Sequence, residues 1–281
     1  MSEANCLYPY ILLLGADDTE MQRIVETLRR LGILYFFAIC NGERVHPGNA
    51  YNASFPQLYK TLSVTHNRKI FFIECDVPGI TPDGRIDHHR PGDPGFAKGP
   101  EEYYEASSLG QLFALLGLNP LQDDRVIAAM DHCFSDAMNN RCPGVSREEV
   151  RNKKIGSIYT RVKQLIPSYA DKIGAAPTVT IGTQQVVFLS EDLGIGYSFP
   201  YLIAQLVGVE SDMPVILRSR NKDGDPWKLH LCGGNLSRET VVAFMEGWGP
   251  AHELQNIYGS PARGYAGGYV FGIFDSSKFL P

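Results

Sequence analysis

The sequence predicts an α/β fold in two parts: a first domain built on a mainly parallel sheet, then a smaller α/β domain. Two observations carry this expectation. Short apolar runs closed by glycine or acidic residues alternate with stretches whose apolar residues recur at helical spacing, the pattern of strands and covering helices. A polar helical stretch and the break Gly174-Ala-Ala-Pro177 then divide the chain. The 281 residues suffice for two domains, and 44% hydrophobic with 20% charged residues is an ordinary globular balance.

Each segment has its own reason. Tyr10–Leu14 is a continuous apolar run ending at Gly15, which suits a strand buried on both faces. Asp17–Leu31 places Met21, Ile24, Val25, Leu28 and Leu31 at helical spacing, with Gly32 to close it. Ile33–Cys40 and Lys69–Cys75 read as further strands, and Ala106–Leu118 as a helix with Leu109, Leu112, Phe113 and Leu116 on one face. Arg125–Cys133 fits either a helix end or a short strand. Arg147–Ala175 is polar and helical, the character of a connector. Beyond it, Val186–Leu189, Val215–Ser219 and Trp227–Cys232 read as strands, with helices near Phe199–Val207 and Arg238–Gly247. The expected division is 1–147, a helical linker 148–175, and 176–281.

Bulk properties narrow the function. A formal charge of −5 argues against a general polyanion-binding surface and against long duplex nucleic acid as partner. Six cysteines (Cys6, Cys40, Cys75, Cys133, Cys142, Cys232) form no Cys-x-x-Cys pair, so free thiols in a reducing compartment are expected. The amino terminus lacks the pattern of a signal peptide, and the apolar runs are too short to span a bilayer. A cytoplasmic protein without a membrane partner is the expectation, and a homodimer is left open. No phosphate loop or nucleophile elbow occurs, and Gly194-Ile-Gly196 lacks the third glycine of a dinucleotide fingerprint.

Acids and imidazoles gather where apolar segments end. Asp17, Asp18 and Glu20 follow the first strand, Glu74 and Asp76 end the third, Asp87-His88-His89 follow Ile86, and Asp131-His132 follow Val126–Met130. Ligands of open parallel sheets bind outside the carboxyl ends of strands, so these side chains can converge on one crevice. Converging carboxylates repel unless cations intervene, and divalent ions that prefer oxygen, with some imidazole ligation, answer that need. A two-metal site suits displacement at phosphorus because it stabilises both the attacking and the leaving oxygen. Plainer readings stand beside these: Asp17 or Asp18 as a helix cap, and Glu74 as an ordinary strand-end acid. Arg90, in a loop rigid with proline and glycine, fits a phosphate contact or an ion pair. Arg44–Tyr51 could be a plain turn, or could offer an aromatic ring to a base.

Asp87-His88-His89, followed by Glu105-Ala-Ser-Ser-Leu-Gly110 and Ala128-Ala-Met-Asp131 and preceded by Ile70–Asp76, resembles the motif series of the DHH phosphoesterases. That family includes RecJ-type exonucleases, oligoribonucleases, cyclic-dinucleotide phosphodiesterases and exopolyphosphatases. The resemblance implies a DHH-type first domain and a substrate-binding second domain. It implies Mn²⁺ or Mg²⁺, one or two ions, held by Asp18, Glu20, Asp76 (bridging), His88 and Asp131. His89 would touch the scissile phosphate or assist proton transfer, with Asp87 supporting the imidazoles. The first motif departs from the family, because Leu14–Glu20 offers Asp18-Thr19-Glu20 and no histidine. In the second domain, Gly259–Gly268 resembles the family's glycine-rich segment, which implies substrate contacts from Arg263, Gly264, Gly267 and Gly268. Read without the resemblance, the same residues could close a hairpin with Arg263 solvated.

The expected function is therefore metal-dependent hydrolysis of a phosphodiester or phosphoanhydride bond in a small nucleotide, short oligonucleotide or cyclic dinucleotide. The alternatives are a catalytically degenerate DHH-type protein that binds or sequesters a nucleotide, and a structural protein with one inert metal site.

Overall fold

A computed structural model describes residues 8–54, 68–157, 163–189, 198–220 and 226–280. Cys6, Gly194 and Gly196 lie outside the described residues. The protein is mixed α/β and divides into two compact units, Met1–His132 and Cys133–Pro281.

In the first unit, β1 (Tyr10–Leu14) leads to α1 (Thr19–Leu31) and β2 (Leu34–Phe37), then to a small hairpin, β3 (Ile39–Cys40) and β4 (Glu43–Arg44). The chain continues through β5 (Lys69–Ile73), β6 (Gly84–Ile86), α2 (Tyr103–Ala106), α3 (Ser108–Leu116) and α4 (Gln122–His132). The segment over 125–133, ambiguous in sequence, is thus helical up to His132. The four main strands form a wholly parallel sheet in the order β2-β1-β5-β6. Ile11, Leu12, Leu13 and Leu14 are all fully buried. Leu12 and Leu14 join Met21, Ile24 and Leu28 of α1 and Leu109, Leu112 and Phe113 of α3 in one cluster. Leu13 and Phe72 face the other way, among Ala38, Val45, Ala50 and Cys75. That period-two division is why this strand reads as unbroken apolar sequence.

From β1 the chain runs to β2 on one side and returns to β5 on the other, so the strand order reverses at β1 and β5. A reversal of this kind opens a crevice beyond the carboxyl ends of the two strands. It is where the segments carrying Asp18, Glu20 and Glu74 emerge.

The second unit contains α5 (Phe134–Met138), α6 (Arg147–Ser157), α7 (Ile166–Ala175), β7 (Thr178–Ile181), β8 (Gln184–Leu189), α8 (Ser198–Glu210), β9 (Val215–Arg220), β10 (Trp227–Cys232), α9 (Arg238–Ala243), β11 (Gln255–Ser260) and β12 (Tyr265–Val270). Its sheet runs β11-β12-β10-β9-β8-β7; β8 and β9 are parallel and the other neighbours antiparallel. Alternate strand residues face opposite layers. Val187, Leu189 and Val215 pack with Tyr169 and Ile173 of α7 and Ile203 and Val207 of α8. Val186, Phe188, Ile216, Leu229 and Leu231 pack with Val241 and Phe244. The stretch expected as a connector over 148–175 therefore lies in the second unit, and α7 covers its sheet.

Among the described residues no helix is long and apolar enough to cross a membrane. Cys75, Cys133, Cys142 and Cys232 are free and buried, and Cys40 is free and half-buried.

Gly110 lies inside α3, where alanine would ordinarily stabilise a helix by about 1 kcal/mol. A Cβ there would meet the Tyr104 carbonyl oxygen at 1.7 Å. The clash outweighs the propensity, so Gly110→Ala is expected to destabilise the protein by about 1–3 kcal/mol. Equilibrium urea unfolding reads this directly, and an increase in stability would contradict the close packing of α2 on α3.

Candidate metal centre

Four chain segments deliver the polar side chains of the first unit. Asp18 is the N-cap of α1, its Oδ1 accepting from the Met21 amide at 2.7 Å. Glu20, in the first turn, is fully buried and accepts from the Leu109 amide at 3.0 Å, at the amino end of α3. Helix amino ends favour anions through their free N–H groups and dipole. Glu74 follows β5 with a left-handed backbone, φ 51°. Such a conformation is costly for a residue with a Cβ and is found where surrounding structure enforces it.

Asp87-His88-His89 follow β6, and Asp131 and His132 end α4. Asp131 sits at the carboxyl end of its helix, where the dipole disfavours an anion by roughly 0.3–1 kcal/mol unless a cation is near.

One ligand atom from each of Glu20, Glu74, His88 and Asp131 can be chosen so that all four lie within 4.8 Å of one another. Glu74 and His88 also form such a group with His89. His88 Nε2 lies 3.2 Å from Asp131 Oδ2 and 3.6 Å from Glu74 Oε1. Among the described residues, Glu20 Oε2 and Glu74 Oε1 are buried without a hydrogen-bond partner.

Burial, followed by the charge of Asp131, holds the Glu20 carboxyl well above the usual carboxylate range. Burial, then Asp18, Glu20, Asp131 and Asp87, does the same to Glu74. Asp18 is pushed up to about 7 by burial and by Asp131. A set of three carboxylates and one imidazole, with buried acceptors that lack donors, is a fit for a divalent ion that favours oxygen. The cluster could hold a metal ion.

Asp87 is differently placed. Its Oδ1 accepts from the His88 amide (2.7 Å), the His89 amide (3.1 Å) and His89 Nδ1 (2.9 Å), and the Tyr51 hydroxyl donates to its Oδ2 at 2.9 Å. Burial raises its pKa, but the bond and charge of His89 and the Tyr51 bond outweigh burial and hold it below the usual range. An ionised Asp87 takes the His89 Nδ1 proton in hydrogen bond and leaves Nε2 of that ring as its lone-pair nitrogen when the ring is neutral. Gln111 of α3 clamps the same segment, donating to the Asp87 and Ala106 carbonyls at 2.9 and 2.7 Å. Gly95 lets the following loop fold back, since a Cβ there would come within 1.9 Å of the Ala106 oxygen and 2.7 Å of His88 Cβ.

Other expected site residues lie elsewhere. Asp76 pairs with Arg85 at 2.8 Å and belongs to neither ligand group, whereas Glu74 belongs to both. Residues 74 and 76 would share a face if β5 continued. The left-handed turn at Glu74 ends that alternation, and no pattern in the sequence announces it. Arg90 stacks its guanidinium 3.5 Å from the centre of the Tyr51 ring. The ring considered as a base platform is therefore already covered on that face.

In the second unit, Arg263 and Gly264 form the turn between β11 and β12. Gly267 and Gly268 lie within β12; Gly267 pairs with His230 of β10 and Tyr258 of β11, and Gly268 pairs with Leu229 of β10 where the β11 register shifts. They are strand residues rather than part of an open loop, and the glycine-rich segment is a hairpin. A Cβ on Gly267 would meet the Tyr258 hydroxyl oxygen at 2.2 Å, which explains a glycine there by packing. Gln111 is the contributor that the sequence did not mark; Glu74 and Tyr51 were marked, as a strand-end acid and as an aromatic ring for a base, and take other parts here.

Compared with protein families and with curated proteins, the chain matches no family model and no curated sequence.

Two measurements check this centre. Acids whose pKa rises on folding bind more protons in the native state, so stability falls as pH rises from the unfolded value to the folded one. For Asp18 that window runs from 3.8 to about 7, and Glu20 and Glu74 act in the same direction. Metal-free protein is expected to lose melting temperature across this range. Mn²⁺ at a hundredfold its Kd should return about 2.7 kcal/mol. In titration calorimetry, Glu74→Gln is expected to weaken Mn²⁺ binding by more than the roughly 10–100-fold that changes beside a ligand cost. Asp76→Asn should bind as the wild type does. The reverse ranking would restore Asp76 as the ligand.

Proposed function

We propose that this protein is a metal-dependent phosphoesterase of DHH type, acting on a small nucleotide, a short oligonucleotide or a cyclic dinucleotide. The observation that carries the reading is the convergence of Glu20, Glu74, His88 and Asp131 at the carboxyl ends of parallel strands. Bound divalent ions, Mn²⁺ or Mg²⁺, would supply charge neutralisation at phosphorus and activation of the attacking water. Glu20, Glu74, His88 and Asp131 would hold the metal.

The chain's own groups fit the remaining tasks. His89, braced at Nδ1 by ionised Asp87, presents Nε2 to exchange a proton with a phosphate oxygen or the leaving group. Arg90, adjacent in sequence and held against Tyr51, offers a preorganised guanidinium for phosphate oxygens. Arg44, stacked 3.9 Å from the centre of Phe37 and 3.5 Å from Asp17, offers a second. The acidic net charge favours small substrates over a long polyanion.

A second reading, nucleotide binding without turnover, draws support from Glu20. One of its oxygens is engaged by the Leu109 amide, and no histidine precedes it in the first motif, so a second ion would have fewer ligands.

The test is turnover with Mn²⁺ on linear dinucleotides, cyclic dinucleotides and polyphosphate. Hydrolysis is expected for the wild type, with kcat lowered about 10²–10⁴-fold in His89→Ala while Mn²⁺ remains bound. Tight nucleotide binding with metal and no hydrolysis on any substrate would favour the second reading.

A further inference from the structure

The geometry points to His132 as a positioning residue that fixes the proton of His88 on Nδ1 and so presents His88 Nε2 to the carboxylates as a metal-binding lone pair. This rests on the metal-centre reading above. The chain of contacts has a direction. His132 Nε2 lies 3.1 Å from the Lys98 carbonyl oxygen. A carbonyl only accepts, so the nitrogen facing it carries the proton. A neutral imidazole protonated at Nε2 has its lone pair on Nδ1. His132 Nδ1 lies 3.1 Å from His88 Nδ1, so His88 is the donor in that pair. In a neutral His88 the lone pair then lies on Nε2, the atom that faces Asp131 and Glu74.

Both rings are buried, with His88 at 0% and His132 at 1% exposure, so bulk water does not compete for these positions. The opposite order, with His132 protonated at both nitrogens, would set a His88 Nε2–H against the carboxylates and remove the lone pair. Metal-ligating histidines commonly donate their second N–H to a carboxylate or a backbone carbonyl. Here an imidazole stands between ligand and carbonyl. A carboxylate in that position would add another negative charge beside Glu20, Glu74 and Asp131, whereas a neutral imidazole sets the tautomer without adding charge.

Long-range ¹H–¹⁵N correlation on metal-free, histidine-labelled full-length protein tests the proton positions. His132 is expected to be protonated at Nε2 and bare at Nδ1, with His88 protonated at Nδ1. A proton on His132 Nδ1 overturns the proposal. A second arm titrates Mn²⁺ into wild type, His132→Phe and His132→Asn. Phe removes the acceptor, whereas the Asn amide oxygen can replace it. Affinity should fall about 10–100-fold in His132→Phe and recover substantially in His132→Asn, a rescue that a purely space-filling role would not produce. Equal affinity in wild type and His132→Phe, or an equal loss in both variants, overturns the positioning role. If His132→Phe does not fold, the tautomers and His132→Asn decide. A wild type that binds no Mn²⁺ overturns the metal-centre reading, and the proton positions still decide separately for or against the imidazole chain.

Discussion

Repulsion between carboxylates taken out of water governs the first unit. Glu20 and Glu74 are buried, Asp131 lies beside them, and Asp18 stands close enough for Asp131 to raise its pKa. An isolated ionised carboxylate is expensive in a protein interior, and several together multiply that cost unless protons or cations intervene. Nothing in the apolar core requires this arrangement. Leu12, Leu14, Ile73 and the helix faces of α1 and α3 would pack equally well beneath a neutral crevice. The concentration of charge is therefore a property of the crevice, and the sheet below supplies the rigidity that keeps the groups from moving apart.

Around that core of acids, two imidazoles are fixed by opposite means. His89 leans on an ionised carboxylate, which fixes its tautomer and orientation. His88 leans on the ring of His132, which in turn bonds the Lys98 carbonyl, an uncharged support. Adjacent residues thus receive different chemistry from different neighbours. Tyr51 holds the Asp87 carboxylate, while Gln111 and Gly95 keep the Asp87–His88 backbone close to α2 and α3.

Much of the fold was legible because periodicity reports burial directly. The run Tyr10–Leu14 is continuous because it is buried on two faces, and Asp18 and Gly32 bracket α1 as capping chemistry requires. Five strands, β4, β6, β7, β11 and β12, were not read from the sequence. β6 has only three residues, and β12 contains two glycines whose role is to admit Tyr258 and Leu254. The site was legible as a set of clusters but not atom by atom. Spacing could not separate Glu74 from Asp76, because the distinction is a backbone turn and a partner, Arg85, nine residues on. His132 was visible as a residue, but its role depends on Lys98, which is distant in sequence and contributes only its backbone.

The left-handed backbone at Glu74 sets selection for stability against selection for chemistry. Glycine accepts φ 51° without steric cost, and asparagine does so more readily than glutamate. Either would also remove a buried acid from a crowded group. In metal-free protein, a library at position 74 sorted only for resistance to unfolding should drift toward such residues and discard the ligand. A glutamate there bears both penalties, and a stability-guided redesign of this chain would erase that candidate ligand first.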